Sequence, residues 1–414
     1  MNALDVIYTL GAVALSPVWA RKSRGDWPAR FGHTPALPKA ESRTRRVLVH
    51  AVSVGEVNAC RQLVAQLRDA GCEVVLCVTT DNGIARARAL YQGSAVPVVR
   101  YPLDFSRSVS RFLDAVAPDL VCLVELEVWP NFVRACSKRG IPVGVVNGRL
   151  SERSFGGYRR IAKVIGPAFA KLAFAAVQDE PYAARFAAMG TPRERVTVTG
   201  SVKWDAVPPH AFEAPSEGAI ALAEAMGIDR SKPIVVFGST AKGEEALAHA
   251  AMPLAVQLVC APRKPERFAD AAGDLPGCVR RSTGIAAPAD TMRFLLDSLG
   301  ELGQIYQLAD VVVIGRTFTR QGGSDPMEPA GLGKPLVCGP DMGNFLTVAS
   351  ALVGSGGMLQ VGSAELASTL GELCASQSRR DEMREANLRC VQVHRGATVR
   401  TCEIILKALR TRAS

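Results

Sequence analysis

The chain has 414 residues, too many for one ordinary hydrophobic core, so two domains are expected. Apolar residues make up 48% of it and no low-complexity tract occurs, which excludes an extensively disordered protein. A formal net charge of +10 suits an anionic partner, whether nucleic acid, a phosphorylated lipid or a sugar nucleotide, and does not choose among them; the lack of a basic stripe interleaved with aromatics makes RNA the weak candidate.

In chain order, residues 4–20 (LDVIYTLGAVALSPVWA) are apolar apart from Asp5 and run straight into RKSR. The stretch falls a little short of the ~20 residues that a clean spanning helix needs. A signal peptide carries its positive charges ahead of the apolar run, and here they follow it. From Arg21 to Arg46 there are eight Lys or Arg and two Asp or Glu, so this flank is expected on the cytoplasmic side. Residues 1–22 are expected to form a membrane-associated segment; the alternative is a buried helix of the globular part.

Apolar, β-branched runs then alternate with helical spacing. The expected strands are 46–56, 72–80, 95–103, 119–130, 141–147, 172–178 and 195–200. Strands apolar on both faces specify a parallel sheet covered on both sides. Residues 35–202 are therefore read as a doubly wound, Rossmann-like domain, and the Pro-rich stretch 203–218 as a linker. A second series, 233–240, 255–262, 292–296, 310–315 and 334–339, places another such domain at 219–395, followed by a helix at 396–414. The eleven cysteines show no C-x-x-C pair, which predicts reduced, buried thiols and no metal-ligand spacing.

Ligands of doubly wound sheets bind beyond the carboxyl ends of the strands, so strand-end residues are the candidates. The first strand ends at Ser53-Val54-Gly55-Glu56, and Glu56 falls at a helix start. The dipole there lowers its pKa, but an apolar wall or a neighbouring charge can raise it again and leave a general base. The bland alternative is a first-turn Glu that satisfies helix amides. Glu125 and Glu127 close the run 119–130, and strand alternation would put both on one face, for sugar-hydroxyl or base contacts or as a clamp on Arg149. In the second domain FGST (237–240) offers Ser239 and Thr240 between strand and helix, suited to a phosphate, and Arg263 ends the next strand, suited to a phosphate or a pyrimidine edge. Gly315, Gly322 and Gly323 allow close backbone approach, and Glu328 can take a ribose diol in bidentate fashion. Neither a P-loop nor G-x-G-x-x-G is present, which counts against an ATPase and a dinucleotide dehydrogenase.

Several stretches together carry a family resemblance: RFG (30–32), HAVSVGEV (50–57), VELEVWPN (124–131), NGRLSERSFGGY (147–158), VQDE (177–180), TGSVKWD (199–205), GSTAKGEE (238–245), APRKPERF (261–268), GGSDPMEP (322–329) and GPDMGNF (339–345). In order and spacing the chain resembles the bacterial 3-deoxy-D-manno-octulosonic acid (Kdo) transferases of lipopolysaccharide synthesis, nearly end to end. The resemblance implies the GT-B fold, two Rossmann-like domains facing across a cleft, and an inverting, metal-independent glycosyltransferase with no cofactor. It implies transfer of Kdo from CMP-Kdo, or a related CMP-sugar, to a lipid A precursor (lipid IVA) at the cytoplasmic face of the inner membrane. Glu56 matches the family's catalytic base. Arg263, Glu328 and Asn344 fall where the family binds CMP, with Ser239, Thr240, Gly322, Gly323 and Lys203 beside the phosphate. Ser53, Glu125, Glu127 and Arg149 fall on the acceptor side. Histidines usual near Ala241–Lys242, at Lys264 and at Ser324 are absent, and Ser324-Asp325 sets a negative charge beside an anionic ligand, the mark of a divergent member. The competing expectations are a GT-B transferase or epimerase using another nucleotide-sugar, and an inactive homologue that only binds lipid or a partner.

Overall fold

The run RVLVHA is buried at all six positions, as a strand covered on both faces must be, and it forms β1 (Arg46–Ala51). The structure is a computed structural model that describes residues 2, 4–10, 25–38, 44–206, 214–253 and 255–411. The chain divides into two units, Met1–Ala206 with Arg395–Ser414, and Val207–His394.

In unit 1, β1 is joined by β2 (Glu73–Val78), β3 (Val98–Arg100), β4 (Leu120–Val124), β5 (Val143–Gly148), β6 (Phe174–Val177) and β7 (Val196–Val198). They form one parallel sheet in the order β3-β2-β1-β4-β5-β6-β7. Two apolar layers sandwich it: Phe112, Phe132, Phe169 and Phe186 on one side, Leu63, Leu67, Ile84 and Ile405 on the other. Unit 2 repeats the plan with β8 (Ile234–Thr240), β9 (Gln257–Pro262), β10 (Val279–Arg280), β11 (Arg293–Leu295), β12 (Val311–Ile314), β13 (Leu336–Cys338) and β14 (Met358–Gln360). Its order is β10-β11-β9-β8-β12-β13-β14, again parallel throughout. The two outermost strands, β10 and β14, were not among those the sequence revealed.

The C-terminal helix, Ala397–Thr411, does not stand apart. It lays Cys402, Ile405 and Leu409 into the core of unit 1, as its spacing of three and four residues allows. Asp205 fixes its start, accepting the Gly396 amide at 2.7 Å and the Thr398 amide at 2.6 Å. All eleven cysteines are unpaired.

Of the apolar segment 4–20, residues 4–10 are helical and the remainder lies outside the described residues, as do 207–213 of the expected linker. Asp5, the one charge in that segment, is buried: its carboxylate accepts the Ser106 amide at 2.8 Å and hydroxyl at 2.5 Å, and the Asn131 side-chain amide at 3.2 Å. It is the anchor that docks the helix on unit 1. Val6, Ile7 and Leu10 of the same helix are about half-exposed or more, at 49%, 56% and 66%. Among the described residues no helix is long and apolar enough to cross a membrane.

Candidate active site

Glu56 is placed by the end of β1. Ser53 caps the helix Val54–Ala59, its Oγ accepting the Glu56 amide at 3.4 Å. The carboxylate folds back: Oε2 accepts the Val52 amide at 2.7 Å and Oε1 the Ser53 hydroxyl at 3.0 Å. This is a capping-box pairing moved one residue outward. The first-turn role is thus real, and it leaves acceptor sites on both carboxylate oxygens. Burial pushes the Glu56 carboxyl up to about 7; the Val52 amide pulls it down, Glu125 pushes it up, the Ser53 hydroxyl lowers it and Glu127 raises it again. Burial outweighs the lowering expected at a helix start.

Topology supplies the neighbours. β1 and β4 lie side by side where the strand order reverses, the place at which doubly wound sheets take ligands. The strand expected over 119–130 stops at Val124, and Glu125 follows with a left-handed backbone, φ 61°. Strand alternation therefore does not pair Glu125 with Glu127; the chain has already turned, and both still act on Glu56 through their charge. Trp129 Nε1 donates to Glu127 Oε2 at 2.7 Å, and burial holds the Glu127 carboxyl above its ordinary value. Lys203, expected beside a phosphate, belongs to unit 1, with its Nζ 3.8 Å from Glu125 Oε1. Arg149 gives its backbone amide to the Glu125 carbonyl at 3.1 Å.

In unit 2 the reversal falls between β8 and β12. The Gly315 amide donates to the Gly238 carbonyl at 2.8 Å, and the Ser324 hydroxyl to the Ser239 carbonyl at 3.4 Å. Gly238 must be glycine, because a Cβ there would collide with the Tyr306 hydroxyl. Gly322 and Gly323 turn the chain with φ of 78° and 77°. Asn344 closes that turn: its backbone amide donates to the Gly322 carbonyl at 2.9 Å and its Nδ2 to the Gln321 carbonyl at 3.1 Å.

Arg263, just past β9, is exposed. Glu328, in the short helix Met327–Gly331, is exposed too, though the dense surroundings of its carboxyl, and then Asp325, keep its pKa above the ordinary range. Burial raises the Tyr306 hydroxyl furthest, Glu328 and Asp325 raise it more, and Arg263 lowers it. Arg263, Asp325 and Glu328 of unit 2 thus all act through their charge on the Tyr306 hydroxyl. Thr240, expected to face a ligand, is turned inward instead: it is 1% exposed and its hydroxyl donates to Glu245 at 2.6 Å.

Sequence reasoning misses Tyr306 and Arg316. Tyr306 lies in the helix Leu302–Leu308, away from any strand end. Arg316 lies two residues past β12, and its φ of 64° is invisible in the sequence. Among the described residues, four of the six non-glycine residues with left-handed backbone, Glu125, Asn147, Ser239 and Arg316, stand at or just past the carboxyl end of a sheet strand. Such conformations cost ~1–3 kcal/mol each and gather at functional sites.

The family model of 3-deoxy-D-manno-octulosonic-acid transferase (kdotransferase) matches residues 25–206. A 3-deoxy-D-manno-octulosonic acid transferase of Bordetella pertussis is 34% identical, over 96% of this chain and 98% of its own. One from Haemophilus influenzae is 30% identical, over 87% and 86%. Among solved structures, UDP-GlcNAc 2-epimerase from Neisseria meningitidis, bound to UDP-GlcNAc, superposes with a TM-score of 0.60 at 14% identity, over 87% of this chain and all of that one. Anabaena HepE in complex with UDP gives 0.60 at 12% identity, over 89% and 100%. At such identity the likeness is one of fold: two parallel-sheet α/β units of the GT-B-like kind.

Proposed function

The chain belongs to the 3-deoxy-D-manno-octulosonic acid transferase family and is a glycosyltransferase, and from that premise we propose that it moves Kdo from CMP-Kdo to lipid IVA with Glu56 as general base. The acceptor hydroxyl attacks the anomeric carbon of Kdo, and its proton passes to Glu56. The bond from that carbon to the phosphate oxygen breaks, and CMP leaves with the electron pair on the face opposite the attack, so the configuration inverts. The observation that carries this reading is the Glu56 carboxyl raised to about 7 at the strand-order reversal of unit 1. A base with that pKa is half ionised at neutral pH and still able to accept a proton.

In the same reading Arg263 and the turn Gly322–Gly323 meet the phosphate, Ser239 lies beside them, and Glu328 takes the ribose hydroxyls. A single phosphate can be stabilised as a leaving group by such donors, so we read the reaction as metal-independent. The test is Kdo transfer from CMP-Kdo, generated in situ, to lipid IVA by the purified protein, with and without a chelator. No product from a protein that binds CMP would overturn the acceptor or the donor sugar; product abolished by chelation would overturn the metal-free step.

Asp325 is the unusual group in this site. Its Oδ1 accepts the Met327 amide at 2.9 Å, so it caps a turn while adding a negative charge near the nucleotide. Asp325→Asn is expected to tighten CMP binding ~3- to 10-fold at low salt, with most of the gain lost at about 0.5 M salt. Titration calorimetry at the two salt concentrations checks it, and an unchanged Kd at low salt would place the phosphate away from Asp325.

The same proposal puts the chain at the cytoplasmic face of the inner membrane. It is supported by the apolar stretch 4–20, its basic flank, and the exposed Val6, Ile7 and Leu10 on the helix anchored by Asp5. Flotation with anionic vesicles should carry the protein upward, and Ile7→Asp with Leu10→Asp should leave most of it at the bottom. Equal flotation of both would remove that helix from the membrane contact.

A further inference from the structure

We propose that Glu244 is the positioning residue of the nucleotide site in unit 2, an internal anion that sets the shape of the loop carrying Gly322 and Gly323. The proposal rests on the reading of that loop as the CMP site. Glu244 is 1% exposed and lies at the start of the helix Glu244–Ala251, after β8. Its carboxylate gathers four backbone amides from two separate segments. Oε2 accepts from Ala241 at 2.8 Å and Arg316 at 2.6 Å, and Oε1 accepts from Thr317 at 3.0 Å and Phe318 at 3.1 Å.

Three successive amides that begin at a left-handed residue make a concave anion site, the geometry that elsewhere holds a phosphate. Here Arg316 supplies the left-handed residue, with φ 64°, and the chain fills the site with its own carboxylate. The donor phosphate is thereby excluded from these amides and must be met elsewhere. What the carboxylate does is bind β8 to β12 past their ends and hold Arg316 in a backbone conformation that an arginine does not adopt unaided.

The constraint is passed on through hydrogen bonds. Arg316, fixed at its amide, accepts the Gly323 amide on its carbonyl at 2.9 Å and donates from its guanidinium to the Gln321 carbonyl at 3.0 Å. Thr317, fixed likewise, accepts the Gly339 amide on its hydroxyl at 2.8 Å and the Asp341 amide on its carbonyl at 3.0 Å. Asp341 in turn accepts the Gly322 amide at 2.7 Å. Both routes from Glu244 end on the Gly322–Gly323 turn. Replacing Glu244 leaves buried amides without an acceptor, and they regain one only by moving the loop.

Glu244→Gln keeps the size of the side chain but halves its acceptors and turns an N–H toward amide donors. On the full chain it is expected to raise the Kd of CMP and the KM of CMP-Kdo ~10-fold or more, with the acceptor KM unchanged. Backbone amides of 316–323 should exchange with deuterated solvent faster, while those of unit 1 do not. A role in folding alone would lower the melting temperature and the active fraction, and hence the apparent kcat, but would leave Kd and the donor KM in place. That pattern, or a CMP affinity within twofold of the unaltered protein, overturns the proposal. Should Glu244→Gln fail to fold, Glu244→Asp reaches fewer of the four amides and should give a smaller rise in Kd; wild-type affinity in that variant is equally fatal. Failure of the unaltered protein to bind CMP is a different result, because it overturns the reading of the site on which the proposal rests.

Discussion

Glu56→Gln is expected to lower kcat for Kdo transfer by ~10²–10⁴-fold, the usual worth of a positioned general base, with little change in CMP affinity. The glutamine keeps an oxygen for the Val52 amide, so the helix start at Ser53 survives while the proton acceptor is gone. A residual rate within tenfold of the unaltered protein would remove Glu56 from the base role. The pH dependence supplies an independent check. The base works ionised, and its carboxyl is raised to about 7, so kcat/KM should rise with pH, tenfold per unit below about 7, and level off above it.

The same shift has a consequence for stability. The folded chain binds the Glu56 proton more tightly than the unfolded chain, whose value is 4.5. Stability therefore falls as pH rises from about 4.5 to about 7, and the full penalty is present above that. Taken at face value the shift corresponds to about 3 kcal/mol, and screening of a half-buried group reduces it to ~1–2 kcal/mol. Glu56→Gln should then melt a few degrees higher than the unaltered protein near pH 8, and no higher at about pH 3.5, below the unfolded value of 4.5, where Glu56 is protonated in both states. An inactive variant that is more stable at high pH would show that Glu56 is held for chemistry at the expense of the fold.

The fold was legible because its strands are buried on both faces: VLVHA in β1 and VVVI in β12 admit no other reading beside the helical runs around them. Glu56 and Arg263 were legible as residues that end strands. What the sequence could not convey is which strand ends meet. β1 and β4 are neighbours although their carboxyl ends, Ala51 and Val124, lie more than seventy residues apart in the chain, and this alone brings Glu125 to Glu56. The reading of Glu125 and Glu127 as alternating strand residues failed for a local reason. The strand stops at Val124, in a left-handed turn that only its surroundings impose. Thr240 failed for the opposite reason, since its hydroxyl has a better partner in the buried Glu245 than in solvent. Glu244 resembles any first-turn acid, and its function depends on Arg316, Thr317 and Phe318 being folded against it.

Glu328→Ala is expected to raise the Kd of CMP ~100-fold or more, since each hydrogen bond to a charged group contributes about 1.5–3 kcal/mol and a bidentate grip on the ribose diol loses two. Glu328 is exposed as a residue, so the change should strand no buried partner and the fold should hold. Its pKa lies above the ordinary carboxylate range, and protonation removes acceptor capacity, so CMP affinity should rise with pH until Glu328 is ionised. A second variant separates position from presence. Gly303, in the helix Leu302–Leu308, lies so close to Glu328 that a Cβ would meet Oε1. That atom is the free end of a flexible side chain, so Gly303→Ala should displace the carboxylate and not the backbone. Alanine also favours the helix by up to ~1 kcal/mol over glycine, so stability should hold or rise while CMP binding weakens. Affinity within threefold of the unaltered protein in Glu328→Ala would sink the ribose contact outright. Full affinity in Gly303→Ala alone would mean that Glu328 binds from a different rotamer, one that Gly303 does not shape.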